Sequence, residues 1–343
     1  MKHRLYYKSL HLISSLLISS LLLSISCTKQ DKTGYSLSFD AKAVDASLAG
    51  KAGAGEGVIQ TTDDNLKKHP FGVFGGYSDV AGDENFTNVF LSSAAQKVSW
   101  NTNKWTYDPL QYWKLNKFYR FRAYHPYSGS AFSINAMSDV DDIFIEYAIN
   151  SGKEDLLVGF QTVESTASNI KNKVTFAFKH ALCALQFKIA FKDDPKGYTD
   201  NLKSFHLSGL IPTGTLQYTH EDGNYLSDVI KWHATYFDDG EYYEWTGSKQ
   251  FPKDDGSATT VFDDNGLVFC IPQTCSPSET MQTTVNFKTE NAGDAVHSAP
   301  LPKMQWEPGK VYSYTLLVNK SNLEISVSIK DWDEIQANED LFL

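Results

Sequence analysis

Arginine is almost missing from this chain: its 343 residues hold three, at positions 4, 120 and 122, among 31 basic residues set against 41 acids. A net charge of −10 with no basic patch excludes nucleic acid as a partner and an anionic lipid surface as a docking site. Cysteine is scarce too, with Cys27, Cys183, Cys270 and Cys275. After Cys27 the odd set allows one internal disulfide at most, and two readings stay open: a Cys270–Cys275 staple, or Cys183 and Cys270 as small core hydrophobes. The enzyme signatures HExxH, GxSxG, GxxxxGK and GxGxxG are absent, and no pair among the nine histidines sits at ligand spacing with a carboxylate to orient it. No metal or cofactor is expected. No long window carries a 3.6-residue period, and the four methionines do not suggest a helical bundle.

What the chain does have is aromatic residues, 13% of the total and mostly Phe and Tyr, which suit pleated, half-buried surfaces. Residues 1–26 read as a signal peptide, with Lys2, Arg4 and Lys8 ahead of an apolar, serine-rich stretch over 10–25. That stretch ends in LLLSISC, which is similar to the lipobox of bacterial lipoproteins, with Ser24 where Leu is usual. Cys27 is the expected lipidation site, and a multiply acylated cysteine anchors a protein to a membrane. Without residues 1–26 the balance is 28 basic against 41 acidic residues, a net of −13.

Residues 27–34 read as a lipidated tether. YSLSF then places Tyr35, Leu37 and Phe39 on one face of a strand, and a small-residue run over 46–57 follows as a loose loop. From Gly72 onward, turn residues punctuate short strands every eight to twelve positions, as in a β-sandwich. VSWNTNKWTY reads as a hairpin about Asn101–Asn103. The polar residues 164–172 mark the expected boundary between an N-terminal sandwich over 35–165 and a C-terminal one over 170–343. In VTFAFKHALCALQFKIAF, Val174, Phe176 and Phe178 are apolar at even positions, and Cys183, Leu185, Phe187, Ile189 and Phe191 at odd ones. The register slips by one residue near His180, as a β-bulge or a short helical turn would make it.

His125 and His180 are read as structural residues. The acidic clusters at 79–84, 139–142, 238–241 and 263–265 lack the EF-hand spacing and read as solvated turns. The run YFDDGEYYEW, 236–245, has the composition of a sugar-stacking platform as well as of a sandwich core.

Five segments in order resemble the fimbrillin-like lipoproteins of Bacteroidales, which include type V pilus subunits. They are FGVFGGY at 71–77, WNTNKWTYDPLQYWKLNKFYRFRAYHPY at 100–127, DLLVGF at 155–160, VTFAFKHALCALQFKI at 174–189 and WEPGKVYSYTLLVNKSNLEISVSIKDW at 306–332. The resemblance implies an all-β protein of two tandem transthyretin-like β-sandwich domains, exported to the outer membrane and non-enzymatic. It implies other fimbrillin-like subunits as partners, with the outer membrane reached through the lipid anchor. In shaft subunits of that family a protease removes the first strand, and a neighbour's strand fills the groove. Mapped here, Tyr35, Leu37 and Phe39 form the exchangeable strand. Family members are cut after arginine, whereas this chain offers only Lys42 and Lys51 in the region. Either lysine serves, or the strand stays and the protein is an anchor or a surface lipoprotein binding glycan or host protein. A donor strand is expected in the tail, through Ile335, Leu341, Phe342 and Leu343.

Overall fold

The computed structural model describes residues 34–43, 63–81, 87–88, 95–136, 143–149, 154–191, 201–221, 224–234, 236–250, 257–262, 266–290, 295–318 and 323–332. Cys27, Lys51, Ile335, Leu341, Phe342 and Leu343 lie outside them, as do the leader and the small-residue run at 46–57. The described chain is all-β, relieved only by a short helix, Asp63–Leu66, and a 3-10 turn, Asn169–Lys171.

The first half is built on a sheet with the order Phe39–Ala43, Val174–His180, Leu157–Glu164, Phe118–His125, Phe71–Ser78, Gln96–Asn101, Lys104–Thr106. Val174–His180 meets Leu157–Glu164 only at Lys179–Val158 and His180–Leu157, so the sheet turns over there and encloses its own core. Phe176 and Phe178 pack edge-on against Phe71, at 5.9 and 5.6 Å. The expected hairpin is present, with Asn101 paired to Lys104 and Thr102 in the left-handed region at φ 55°. Gly72 of FGVFGGY is held to glycine by Tyr124, whose ring lies 2.2 Å from where a Cβ would stand.

In the second half, one sheet runs Thr259–Thr260, Cys183–Phe191, Lys310–Val318, Leu323–Asp331, with Leu267–Cys270 also on Cys183–Phe191. Across the core lies a sheet of Asp238–Gln250, Asn201–Leu210, Thr284–Thr289 and Ala295–Pro300. Phe187 and Phe205 meet between the two with centroids 5.1 Å apart.

A third arrangement joins the halves. The hairpin Phe132–Ala136/Ile143–Ala148 from the first half and the hairpin Thr213–Glu221/Asn224–Ala234 from the second combine into one four-stranded sheet. It lies over the outer face of the first sheet, where the Tyr218 hydroxyl donates to the Ala123 carbonyl at 2.9 Å and Phe160 meets the Tyr218 ring. Strand Phe118–His125 is therefore covered on both faces. Tyr119, Phe121 and Ala123 fill the first core, while Arg120 and Arg122 are buried on the opposite side, Arg122 over the Tyr218 ring.

The register slip near His180 is a change of sheet rather than a bulge within one strand. Val174–His180 pairs within the first sheet, and Cys183–Phe191 pairs with Lys310–Val318 and Leu267–Cys270 in the second. Between them the Ala181 amide donates to Leu156 and the Leu182 carbonyl accepts from Gly309. The polar stretch 164–172 links two neighbouring strands of the first sheet. It is tied down by buried Ser165, whose hydroxyl accepts from the Lys117 amide, and by buried Ile170. The change of sheet falls at Ala181–Leu182.

All three described cysteines are free and buried, which removes the Cys270–Cys275 staple. Cys183 faces Cys270 across neighbouring strands and donates to its carbonyl. Burial pushes the Cys183 and Cys275 thiols up, the latter to about 11.

Candidate functional site

The first described strand occupies a groove. Its regular part is Phe39–Ala43, paired in parallel with Val174–Phe178 from Phe39–Val174 to Ala43–Phe178. The strand expected at 35–39 is thus displaced towards the C-terminus, because only from Phe39 does the neighbouring ladder continue; FDAKA is too poor in β-formers to announce it. Residues 35–38 are nevertheless held from the other side. The Leu37 amide donates to Gln111 at 2.8 Å, the Trp113 amide donates to Tyr35 at 3.1 Å, and Ser36 bridges to Tyr112. The Tyr107 hydroxyl donates to the Leu37 carbonyl at 2.9 Å, and the Val174 amide donates to Ser38.

Side chains follow the two-residue period. Leu37 and Phe39 are 1% exposed and Ala41 is buried, all within the first core. The Phe39 ring sits among Tyr107, Phe121 and Phe176 at 5.3, 5.8 and 5.9 Å. Burying two such side chains stabilises by ~1.5–3 kcal/mol each. Burial also raises Tyr107 to about 12, outweighing the backbone hydrogen bond to Gln111. Tyr35, on the same phase but beyond the end of the core, is 44% exposed. Lys42 points outward on the strand, opposite Ala177, and so lies within paired structure rather than in the loop after it. The walls at Tyr107 and Gln111–Trp113 were not singled out from sequence, although they fall inside the WNTNKWTYDPLQYWK segment.

The residues weighed for chemistry are drawn into the architecture. His180 is buried and its Nδ1 lies 2.7 Å from a carboxylate oxygen of fully buried Asp155. Its ring stacks on Trp332, centroids 3.8 Å apart and planes 7° from parallel. His125 Nε2 sits 3.1 Å from the Leu66 carbonyl, and burial lowers its pKa to about 4. Asp238 accepts from the Gly240 amide and the Tyr242 hydroxyl, a closed turn. The clusters at 139–142 and 263–265 lie outside the described residues. Within the aromatic run, Tyr243 is buried and donates to Phe269, Trp245 is half-buried on the core, and Tyr236 is 61% exposed.

Residues 60–332 match the sequence model of a family described as fimbrillin-like. A fimbrial protein from Bacteroides vulgatus ATCC 8482 shares the fold, with a TM-score of 0.64 at 18% identity over 87% of this chain and 99% of that one. A provisionally assigned cell adhesion protein from Bacteroides ovatus ATCC 8483 aligns with a TM-score of 0.49 at 16% identity, over 87% of this chain and 96% of that one. Another from Bacteroides uniformis ATCC 8492 gives 0.48 at 15%, over 87% and 98%. No curated protein matches the chain.

Proposed function

The chain belongs to the fimbrillin-like family, and from that premise we propose that it is a non-enzymatic cell-surface lipoprotein that joins other fimbrillin-like subunits by exchange of its first strand and so contributes to adhesion. The observation that supports this reading is the seating of residues 35–43: Leu37 and Phe39 are buried in the first core, while the backbone is held by a five-residue parallel ladder on one side and a few bonds to Tyr107 and Gln111–Trp113 on the other. Cleavage between that strand and Asp63 would let it leave. Its departure would uncover an apolar slot beside Phe71, Phe121 and Phe176, together with the backbone groups of Val174–Phe178. A strand from a neighbour, with apolar side chains at the same two-residue spacing, would restore both. The tail residues Ile335, Leu341, Phe342 and Leu343 are the proposed donor, Lys51 the proposed cut and Cys27 the proposed lipid attachment.

The test is limited trypsin treatment of the full chain followed by SDS electrophoresis. Cutting at Lys51 is expected to yield SDS-resistant ladders that the intact chain does not form. A cut chain that keeps residues 35–43 and forms no ladder would overturn the exchange. Cys27→Ala should release the protein from membranes.

A further inference from the structure

Sheets end in edges, and folded proteins blunt them with bulges, charge or brevity. Strand Asp238–Gln250 is blunted in this way: its pairing with Asn201–Leu210 shifts register three times, with Tyr243 in the left-handed region at φ 55°. Thr259–Thr260 is two residues long, and Ala295–Pro300 closes on proline. Leu323–Asp331 is built differently. It pairs with Lys310–Val318 through nine consecutive partners without a shift, contains neither proline nor glycine, and has no strand on its outer side among the described residues. Its inward face carries Leu323, Ile325 and Val327, each half-buried against the second core, and Ile329, 54% exposed. The outward face carries exposed Glu324, Ser326, Ser328 and Lys330.

We propose that this edge is the interface through which two copies of the chain pair, antiparallel about a twofold axis at Val327, so that one sheet runs across the dimer. The sequence LEISVSIKD carries the argument. In the antiparallel register that overlaps the whole strand with itself, Val327 meets Val327, Ile325 meets Ile329 and Ser326 meets Ser328. Glu324 meets Lys330, and the symmetry supplies that ion pair twice. Opposite charges and matched apolar residues at facing positions stabilise a sheet, whereas like charges there destabilise it. Registers centred on Ser326 or Ser328 shorten the overlap and lose both ion pairs. A parallel in-register pairing would set Glu324 against Glu324 and Lys330 against Lys330. The twofold arrangement also closes on itself, giving two copies rather than a fibre. A second observation agrees. Lys188 has its pKa lowered by burial and then by the neighbouring charge of Lys330. A carboxylate delivered to Lys330 by a partner therefore arrives beside two cations.

The test is a charge swap read by sedimentation velocity on the intact full chain in detergent, where no strand exchange is possible. The unmodified chain should show a concentration-dependent dimer that dissociates in SDS. Glu324→Lys or Lys330→Glu, each on its own, should raise the dimer dissociation constant about tenfold or more, with each variant still unfolding cooperatively as a monomer. An equimolar mixture of the two variants, and the double variant, should both recover the dimer, because each restores opposite charges at both 324–330 pairs. Single variants that dimerise like the parent, or a mixture that stays monomeric, would sink the register and the proposal. A full chain that is monomeric, but dimerises once residues 333–343 are removed, would assign the edge to that segment and overturn it equally. Neither result bears on strand exchange, which is read as an SDS-resistant product of cleavage.

Discussion

Strand Phe39–Ala43, with the residues leading into it, carries Leu37 and Phe39 into a closed aromatic core, whereas strand Leu323–Asp331 lays Leu323, Ile325, Val327 and Ile329 along the rim of the second core. The first has five ladder partners, the last has nine. A backbone hydrogen bond contributes about 0.5–1.5 kcal/mol net, since water competes for both groups, while a fully buried Leu or Phe contributes ~1.5–3 kcal/mol. The first strand is therefore held by two plugs together with a short ladder and the bonds to Tyr107, Gln111 and Trp113, and the last mainly along its backbone. Under the proposed exchange an incoming strand would have to supply the same two plugs and the same backbone partners, whereas a strand paired along one side only leaves its other edge open.

This contrast can be broken in three places. The largest effect is expected at Phe39: Phe39→Ala should lower the urea unfolding free energy by about 3–5 kcal/mol, the range for a buried aromatic. Tyr35→Ala, two residues earlier on the same phase, should stay within about 0.5 kcal/mol. Equal losses would show that the ladder, not the plug, holds the strand.

The next effect is acid. His125 ends strand Phe118–His125 of the first sheet, its buried ring having the Leu66 carbonyl at Nε2, His69 and Phe178 beside it, and Asp155 close by. Burial lowers its pKa from 6.5 to about 4. The unfolded chain then takes up the proton first, so stability is undiminished above about pH 6.5 and falls as pH drops towards 4, by about 3 kcal/mol from this group. Amide exchange in Phe118–His125 should quicken over that window ahead of exchange in Lys310–Val318, and His125→Gln should flatten the dependence.

The smallest effect is at the other rim. Ile329→Ser is expected to shift the monomer's unfolding by no more than about 0.5 kcal/mol, because that side chain is already in water. A loss of 2 kcal/mol would mean that the last strand is plugged as firmly as the first.

Much of this was legible in LEISVSI, VTFAF and WNTNKW, where a two-residue period and turn residues declare strands without reference to any partner. His180 was readable as architecture because it sits at a phase break. What the period does not carry is the identity of the neighbour. Val174–His180 and Cys183–Phe191 look like two halves of one strand, and only distant residues, Leu156 and Gly309, pull them into different sheets. The groove shows the same limit. Leu37 and Phe39 are visible as plugs, but Tyr35, an aromatic residue in the same phase, falls outside, because the core ends before it. Nor does any local signal say that Asp155 is the carboxylate beside His180, since the two meet only after the sheet turns over.

The sheet made from one hairpin of each half has a mechanical consequence. Ile143–Ala148 and Thr213–Gln217 share five antiparallel register pairs, and a pull that slides one half past the other loads that ladder in shear, all of its bonds together rather than one after another. With Tyr218 pinned to Ala123 behind it, the joint resists bending as well. Tension entering at one end of the molecule would leave at the other with little slack taken up between them, as in a link of chain rather than a bead on a string.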